Sequence, residues 1–378
     1  MQFCVVGSGF FGATVARLLA EELDADVLVI DEREAVGGNS RSFFNTDTGI
    51  ECHQYGSHIF HTSNSQVWEF VRRFTTLNDY RHRVFIRRGN AVFPMPINLA
   101  TVNQFYGKAL SPGEAKAFLA AEIARDAVSA PRNLEEKAIS LVGRPLYEAF
   151  IKGYTQKQWG RPPCELPADI ITRLPVRTTY HADYFNALWQ GVPAEGYGAL
   201  FANMLLHPRI EVLLHTRFET MRNSLPSDCY TVYTGMLDRL FDYRYGELGW
   251  RSLRFDWQTV PVQDYQGTSV MNYADTEIPF TRIHEFKHYN LERVEAFTSN
   301  KTVICREYPQ AFSRGGEAYY PVNTAENMAL HQKYLVAAAK LPRFFVGGRL
   351  GAYRYWDMDM AVAEAMRLFE TDICAAVG

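Results

Sequence analysis

Close cysteine spacing is the first thing this 378-residue chain lacks: its six cysteines, at 4, 52, 164, 229, 305 and 374, are never nearer than 48 positions. No Cys-x-x-Cys redox pair or zinc site can be built from such spacing, so the thiols read as reduced and mostly packed. No apolar run approaches the roughly 18 to 20 residues of a membrane span, and an apolar strand begins within two residues of the start with no basic leader before it. A cytoplasmic protein without a membrane span is expected. Excess positive charge is missing too: 39 basic against 42 acidic side chains leave a net charge of -3, which excludes the broad basic face of a dedicated nucleic-acid binder. Low-complexity stretches are few, and nothing reads as an internal repeat. With 47% hydrophobic and 21% charged residues, the chain has the composition of an ordered globular protein, and its length suits two or three domains at about 150 residues each.

Aromatic residues are abundant, at 14%, which suits planar ligands and a large aromatic core alike. More specific is the start of the chain. Phe3 to Val6 form a short apolar run ending in Gly7-Ser8-Gly9-Phe10-Phe11-Gly12, after which Val15, Ala16, Leu18, Leu19 and Leu23 recur at helical spacing. Val27 to Ile30 make a second buried strand closed by Asp31, 19 residues past Gly12. Strand, glycine turn, helix and distant acid form a dinucleotide fingerprint. Gly7 permits the tight turn, Gly9 lets a pyrophosphate approach the backbone, Gly12 lets the helix pack on the strand, and Asp31 can meet a ribose. The helix N-terminus faces the phosphates with free N–H groups. Arg33 leads to Gly37-Gly38-Asn39, a second close-backbone turn of the kind flavin proteins set against a diphosphate. FAD is favoured over NAD, while an ordinary two-glycine loop is the plainer alternative. No second GxGxxG follows, so no separate nicotinamide-binding unit is expected.

Ser111-Pro112-Gly113-Glu114 carries the cap, N1 proline and N3 acid of a capping box, and Asn133 with Glu136 repeats that signal. The fold class expected is α/β: a Rossmann-like FAD-binding domain with an interleaved helical insertion and an antiparallel sheet domain. Residues 1 to 80, about 195 to 240 and 330 to 378 make the discontinuous FAD-binding domain. Residues about 98 to 190 make a mainly helical substrate and lid domain, and about 81 to 97 with 241 to 325 make the sheet. Near the end, Phe344-Phe345-Val346, Gly347-Gly348-Arg349 and a helix opened by Asp357-Met358-Asp359 again read strand, glycine loop, helix. A helix N-terminus turned toward a flavin would favour its reduced anion.

The segments VGSGFFG (6 to 12), GGN, YGSHIFHT (55 to 62), FIKGYTQKQWG (150 to 160), RLPVR (173 to 177), EYP (307 to 309), YYP (319 to 321) and GGRLGAYRYWDMD (347 to 359) together resemble the prokaryotic UDP-galactopyranose mutases, essentially end to end. The resemblance implies an isomerase that interconverts UDP-galactopyranose and UDP-galactofuranose without net redox change. In that family N(5) of reduced FAD is the nucleophile at the anomeric carbon and UDP is the leaving group. An external reductant such as NAD(P)H, a homodimer and a role in galactofuranose supply to cell-wall polysaccharide are implied with it.

Residue roles follow from the same resemblance. Arg173 and Arg282 match the pair that holds the diphosphate, a task suited to planar guanidinium forks. Phe150, Tyr154, Thr155, Trp159, Tyr184, Phe185 and Asn272 match positions at the uridine. Phe150 and Tyr154, four apart, share a helix face, as a core pair would too. Tyr320 and Tyr355 match tyrosines near the phosphates, and Arg349 and Asp357 match residues at flavin and sugar, although Asp357 also suits a helix N-cap. Gly7, Gly9, Phe11, Gly12, Asp31, Gly38, Asn39, His58, Arg349 and Met358 are the cofactor set, and His58 joins Arg173 and Arg282 as a catalytic candidate. His58 and His61 have no third ligand at suitable spacing, so no metal is expected. The stretch from Thr155 to about Pro193 is either a mobile lid or a static surface excursion. Ser57, Gly198 and Ala318 depart from the family pattern. The rival enzyme reading is an amine-oxidase-type FAD oxidoreductase, and the rival binding reading is a flavin-free escort scaffold of related architecture.

Overall fold

Strands drawn from both ends of the chain pair side by side in the computed structural model, which describes residues 1–126, 128–171 and 175–378. Phe344–Val346, Tyr230–Tyr233, Gln2–Val6, Asp26–Ile30 and Ile210–Leu213 form one sheet in that spatial order, every neighbouring pair parallel. Its central strand is apolar on both faces, with Phe3, Cys4 and Val5 all buried, as a parallel sheet covered on both sides requires. The helix Phe10–Glu22 leaves the glycine turn and packs on Met358–Arg367 and Gly196–Leu205.

A second sheet has seven strands, ordered Tyr320–Pro321, Trp250–Val260, Thr302–Ala311, Arg282–Glu285, Val270–Tyr273, Val84–Arg88 and Ala91–Met95. It is antiparallel except at one seam, where Val270–Tyr273 runs parallel to Val84–Arg88. Those two strands come from remote parts of the chain, so no hairpin turn dictates their direction.

Between the sheet segments lie the helices Leu99–Tyr106, Pro112–Ala124, Leu134–Val142 and Lys152–Trp159. Ser111 and Glu114 close a reciprocal capping box. At the next helix Asn133 accepts from the Glu136 amide at 2.9 Å, but the Glu136 carboxylate turns to the Arg132 amide at 2.8 Å, so only half of that box forms. Phe150 does not sit in a continuous α-helix with Tyr154: Tyr147–Ile151 is a π-helical turn that runs directly into Lys152–Trp159. The closing helix Met358–Arg367 likewise passes into a π turn, Leu368–Ile373. The main core runs from Phe3 and Val5 through Phe60 to Tyr147 and Phe286, and a second core fills the far side of the parallel sheet around Trp250, Tyr334 and Tyr353. Among the described residues, no helix is long and apolar enough to cross a membrane.

Candidate active site

The carboxyl ends of Gln2–Val6, Asp26–Ile30 and Tyr230–Tyr233 open into one cavity of about 930 Å³ that continues to the face of the seven-stranded sheet. Ligands of open parallel sheets sit at such strand ends. Two glycine turns line it. Gly7 has φ 99°, and a side chain there would collide with the Thr234 hydroxyl, while one at Gly12 would strike the Gly7 carbonyl. Gly38 has φ 55° and faces Gly9, whose Cα would lie 3.1 Å from an added Cβ. The Gly37 amide donates to the Ser8 carbonyl at 3.1 Å and ties the two turns together. Bare backbone, a helix N-terminus and space that a side chain would fill are a fit for a dinucleotide's diphosphate.

Asp31 closes this cradle. One carboxylate oxygen accepts from the Ser8 amide at 2.8 Å and hydroxyl at 2.6 Å, the other from the Arg33 amide at 3.0 Å. An ionised carboxylate has about four lone-pair sites, so sites remain for hydroxyl donors. Arg33 reaches Asn39 Oδ1 at 2.8 Å, pairs with Glu317 and lies over the Tyr55 ring at 4.8 Å. Phe11 packs on Gly347 and stacks with Trp356.

Midway along the cavity stands His58. Its amide donates to His53 Nδ1 at 3.1 Å, and its carbonyl accepts from Tyr197 Oη at 3.0 Å. Burial lowers its pKa to about 4 against the opposing pull of the Gly56 carbonyl. The neutral ring therefore places its proton on Nδ1, donating to Gly56 O at 2.9 Å, and leaves Nε2 as an acceptor. His61 is instead stacked on Phe185, 3.6 Å between centroids.

Beyond His58 the walls become cationic and phenolic. The Arg349 guanidinium lies 4.6 Å from the Tyr355 ring and 5.6 Å from that of Tyr320, donates to the Tyr319 carbonyl at 2.6 Å, and has a buried Nε without a hydrogen-bond partner among the described residues. Arg282 Nε is buried in the same way, and an Nη of Arg282 donates to the Tyr154 hydroxyl. Asn272, paired in register with Arg282, has a buried Oδ1 with no hydrogen-bond partner among the described residues. Asp357 occupies the N-cap position of Met358–Arg367 but makes no capping bond, so the cap role is not what its side chain performs.

Register explains one buried chain of polar groups behind this wall. Arg282 faces Glu307 directly across two antiparallel strands, and His284, two residues on, shares that face. Burial opposes the charge on Glu307, but Arg282 and His284 outweigh it and hold the carboxyl below its usual range. Burial keeps His284 neutral. With Glu307 able only to accept, His284 Nε2–H donates to it at 3.2 Å, and His284 Nδ1 accepts from Ser57 Oγ at 2.7 Å. Ser57 Oγ in turn accepts from the Tyr289 hydroxyl.

The predicted residues Gly7, Gly9, Phe11, Gly12, Asp31, Gly38, Asn39, His58, Phe150, Tyr154, Thr155, Trp159, Tyr184, Phe185, Asn272, Arg282, Tyr320, Arg349, Tyr355, Asp357 and Met358 all line this one cavity. Arg173 lies outside the described residues. Sequence reasoning did not single out Glu307, His284 or Arg33. Glu307 was visible only as the first letter of EYP, and Ser57 only as a departure.

Fold and cavity define a Rossmann-like dinucleotide-binding enzyme with a second chamber walled by arginines and tyrosines. A family model described as UDP-galactopyranose mutase matches residues 149–355, and one described as an NAD(P)-binding Rossmann-like domain matches residues 5–74. The chain is 41% identical to a probable UDP-galactopyranose mutase of Klebsiella pneumoniae, covering 96% of this chain and 92% of that protein. It is 38% identical to a dTDP-fucopyranose mutase of Escherichia coli, covering 96% of each. The crystal structure of a reduced UDP-galactopyranose mutase superposes with a TM-score of 0.71 over 100% of this chain and 96% of that one, at 15% identity, a likeness of fold. The chain belongs to the UDP-galactopyranose mutase family.

Proposed function

We propose that this protein is an isomerase that interconverts UDP-galactopyranose and UDP-galactofuranose, with FAD seated in the glycine cradle and active when reduced. The observation that carries the reading is the continuity of one cavity from the paired glycine turns to Arg282 and Arg349, whose buried Nε atoms make no hydrogen bond among the described residues. Ring contraction leaves the oxidation level unchanged but requires the anomeric bond to the diphosphate to be broken and remade, a task suited to covalent catalysis. When bound, reduced FAD supplies the nucleophilic nitrogen for that exchange.

The chain's own residues supply position and charge. Gly7, Gly9, Gly12, Gly38 and the first turn of Phe10–Glu22 hold the cofactor diphosphate, Asp31 its ribose, and Asn39, Phe11, Arg349 and Met358 the remainder. Arg282, with Arg173, clamps the leaving diphosphate, and the uncharged hydroxyls of Tyr320 and Tyr355 orient it. Phe150, Tyr154, Thr155, Trp159, Tyr184, Phe185 and Asn272 take the nucleoside, and Asp357 faces the sugar. His58 stays neutral and fixes the turn that borders the reacting centre. NAD(P)H as external reductant, a homodimeric assembly and a cytoplasmic location belong to the same proposal.

Dithionite-reduced protein incubated with UDP-galactofuranose should yield UDP-galactopyranose by chromatography, with no net consumption of reductant. Absence of interconversion with bound, reduced FAD overturns the reading. A parallel incubation with dTDP-fucopyranose decides whether the base and the sugar 6-position of the Escherichia coli relative's named substrate are accepted here.

A further inference from the structure

Lys157 lies outside the cavity wall, and its ammonium is held by backbone carbonyls. Nζ lies 2.9 Å from the Tyr273 carbonyl, 2.9 Å from Asp275, 3.0 Å from Ile278 and 3.1 Å from Phe280. An ammonium has three protons. Four carbonyl oxygens at nearly equal distance therefore make a cation cage rather than a set of one-to-one hydrogen bonds. All four belong to the loop that connects Asn272 to Arg282, the register pair on the cavity wall. The helix Lys152–Trp159 sits hard against the same loop one turn earlier, where a side chain at Gly153 would strike the Ala274 carbonyl. Gly153 and Lys157, four apart, share one helix face, and Tyr154 on the adjoining face meets Arg282.

We propose that these four carbonyls form a monovalent-cation site whose built-in occupant is the Lys157 ammonium, and that Lys157 is thereby a positioning residue for the nucleotide diphosphate. It pins the loop between Asn272 and Arg282 to the helix that carries Tyr154. With the cage empty, four inward carbonyls repel one another, the loop opens, and the contact between Arg282 and Tyr154 is no longer set. Burial lowers the Lys157 pKa to about 8, while Asp275 and Glu277 oppose that shift, so the group is charged at neutral pH. The inference rests on the diphosphate reading of the site given above.

The test is titration of UDP into the oxidised, flavin-loaded protein, followed by flavin fluorescence. Lys157→Met should retain flavin but bind UDP about tenfold to a hundredfold more weakly, the scale on which a displacement of about 1 Å acts. Lys157→Arg should behave like Lys157→Met, because a planar fork does not match a near-spherical cage. In Lys157→Ala, purified with propylammonium present, UDP affinity should rise with propylammonium concentration and ignore tetramethylammonium, which has no N–H to give. This rescue keeps the inference open to refutation even where Lys157→Met does not fold. UDP affinity unchanged in a flavin-loaded Lys157→Met protein, or indifferent to propylammonium in Lys157→Ala, overturns the inference alone. Failure of the unaltered protein to bind UDP overturns the reading of the site and the inference with it.

Discussion

Glu307 is 2% exposed and stands opposite Arg282, 3.4 Å from its Nε. A buried charge of this kind is tolerated because it is paired, and removing one partner strands the other. Glu307→Gln leaves the Arg282 guanidinium in the wall without its counter-charge, at a cost of about 3 to 5 kcal/mol in stability. Its expected signature is a lower midpoint of thermal unfolding together with weaker UDP binding. The double variant Glu307→Gln, Arg282→Met removes both charges and should recover much of the stability while remaining unable to bind UDP. Calorimetry of the two variants side by side checks this. Equal destabilisation in both would mean that Glu307 acts through His284 and Ser57 instead.

Helix phase is what an element contributes here, and the π turn Tyr147–Ile151 sets the phase of Lys152–Trp159. One residue in an α-helix is worth a rotation of about 100° and a rise of about 1.5 Å. Deleting Glu148, which is exposed in that turn, should convert it to regular α-helix and leave Tyr154 and Lys157 where they are, because the wider turn is what accommodates the extra residue. The expected outcome is a folded protein that still binds flavin, measured by its visible spectrum, and keeps its UDP affinity. Lost UDP affinity would mean that the deletion is passed on as a rotation of Lys152–Trp159. Such a turn carries no residue-type signature, since Tyr-Glu-Ala-Phe-Ile is equally acceptable as α-helix, and for this reason the sequence pattern reads through it. The cradle was legible because glycines at 7, 9, 12 and 38 are demanded by backbone approach and positive φ within a span of about thirty residues. The parallel seam at Val270–Tyr273 and the line from Ser57 through His284 to Glu307 were not. They join residues 227 and 23 positions apart, and pairing register is a property of the assembled sheet.

At the scale of the whole molecule, four buried or half-buried histidines, His53, His58, His82 and His284, cluster beside the seven-stranded sheet and stay neutral. Burial lowers His58 to about 4 and His82 to about 3, the latter aided by the nearby charge of Arg282. His53 and His284 are lowered by the same cause. Each has an ordinary value near 6.5 once unfolded, so between that value and the folded one the unfolded chain binds more protons. The stability they contribute is therefore complete above about pH 6.5 and is lost progressively as pH falls toward 4 and then 3. Urea unfolding at pH 7.5, 6, 5 and 4 should show the midpoint dropping already between pH 6.5 and 5, before carboxylates such as Glu307 begin to protonate. His82→Gln should flatten that part of the curve, because the histidine proton is no longer taken up on unfolding. His284 sits within the seven-stranded sheet, and His53 closes the strand Ile50–His53 and packs on Tyr197, Phe286 and Tyr289, so failure of the cluster is not local. Bound flavin should leave in the same transition, followed by the recovery of free-flavin fluorescence. A midpoint that is flat from pH 7.5 to 5 would show that these rings reach water in the folded state and that the cluster does not set the acid stability of the fold.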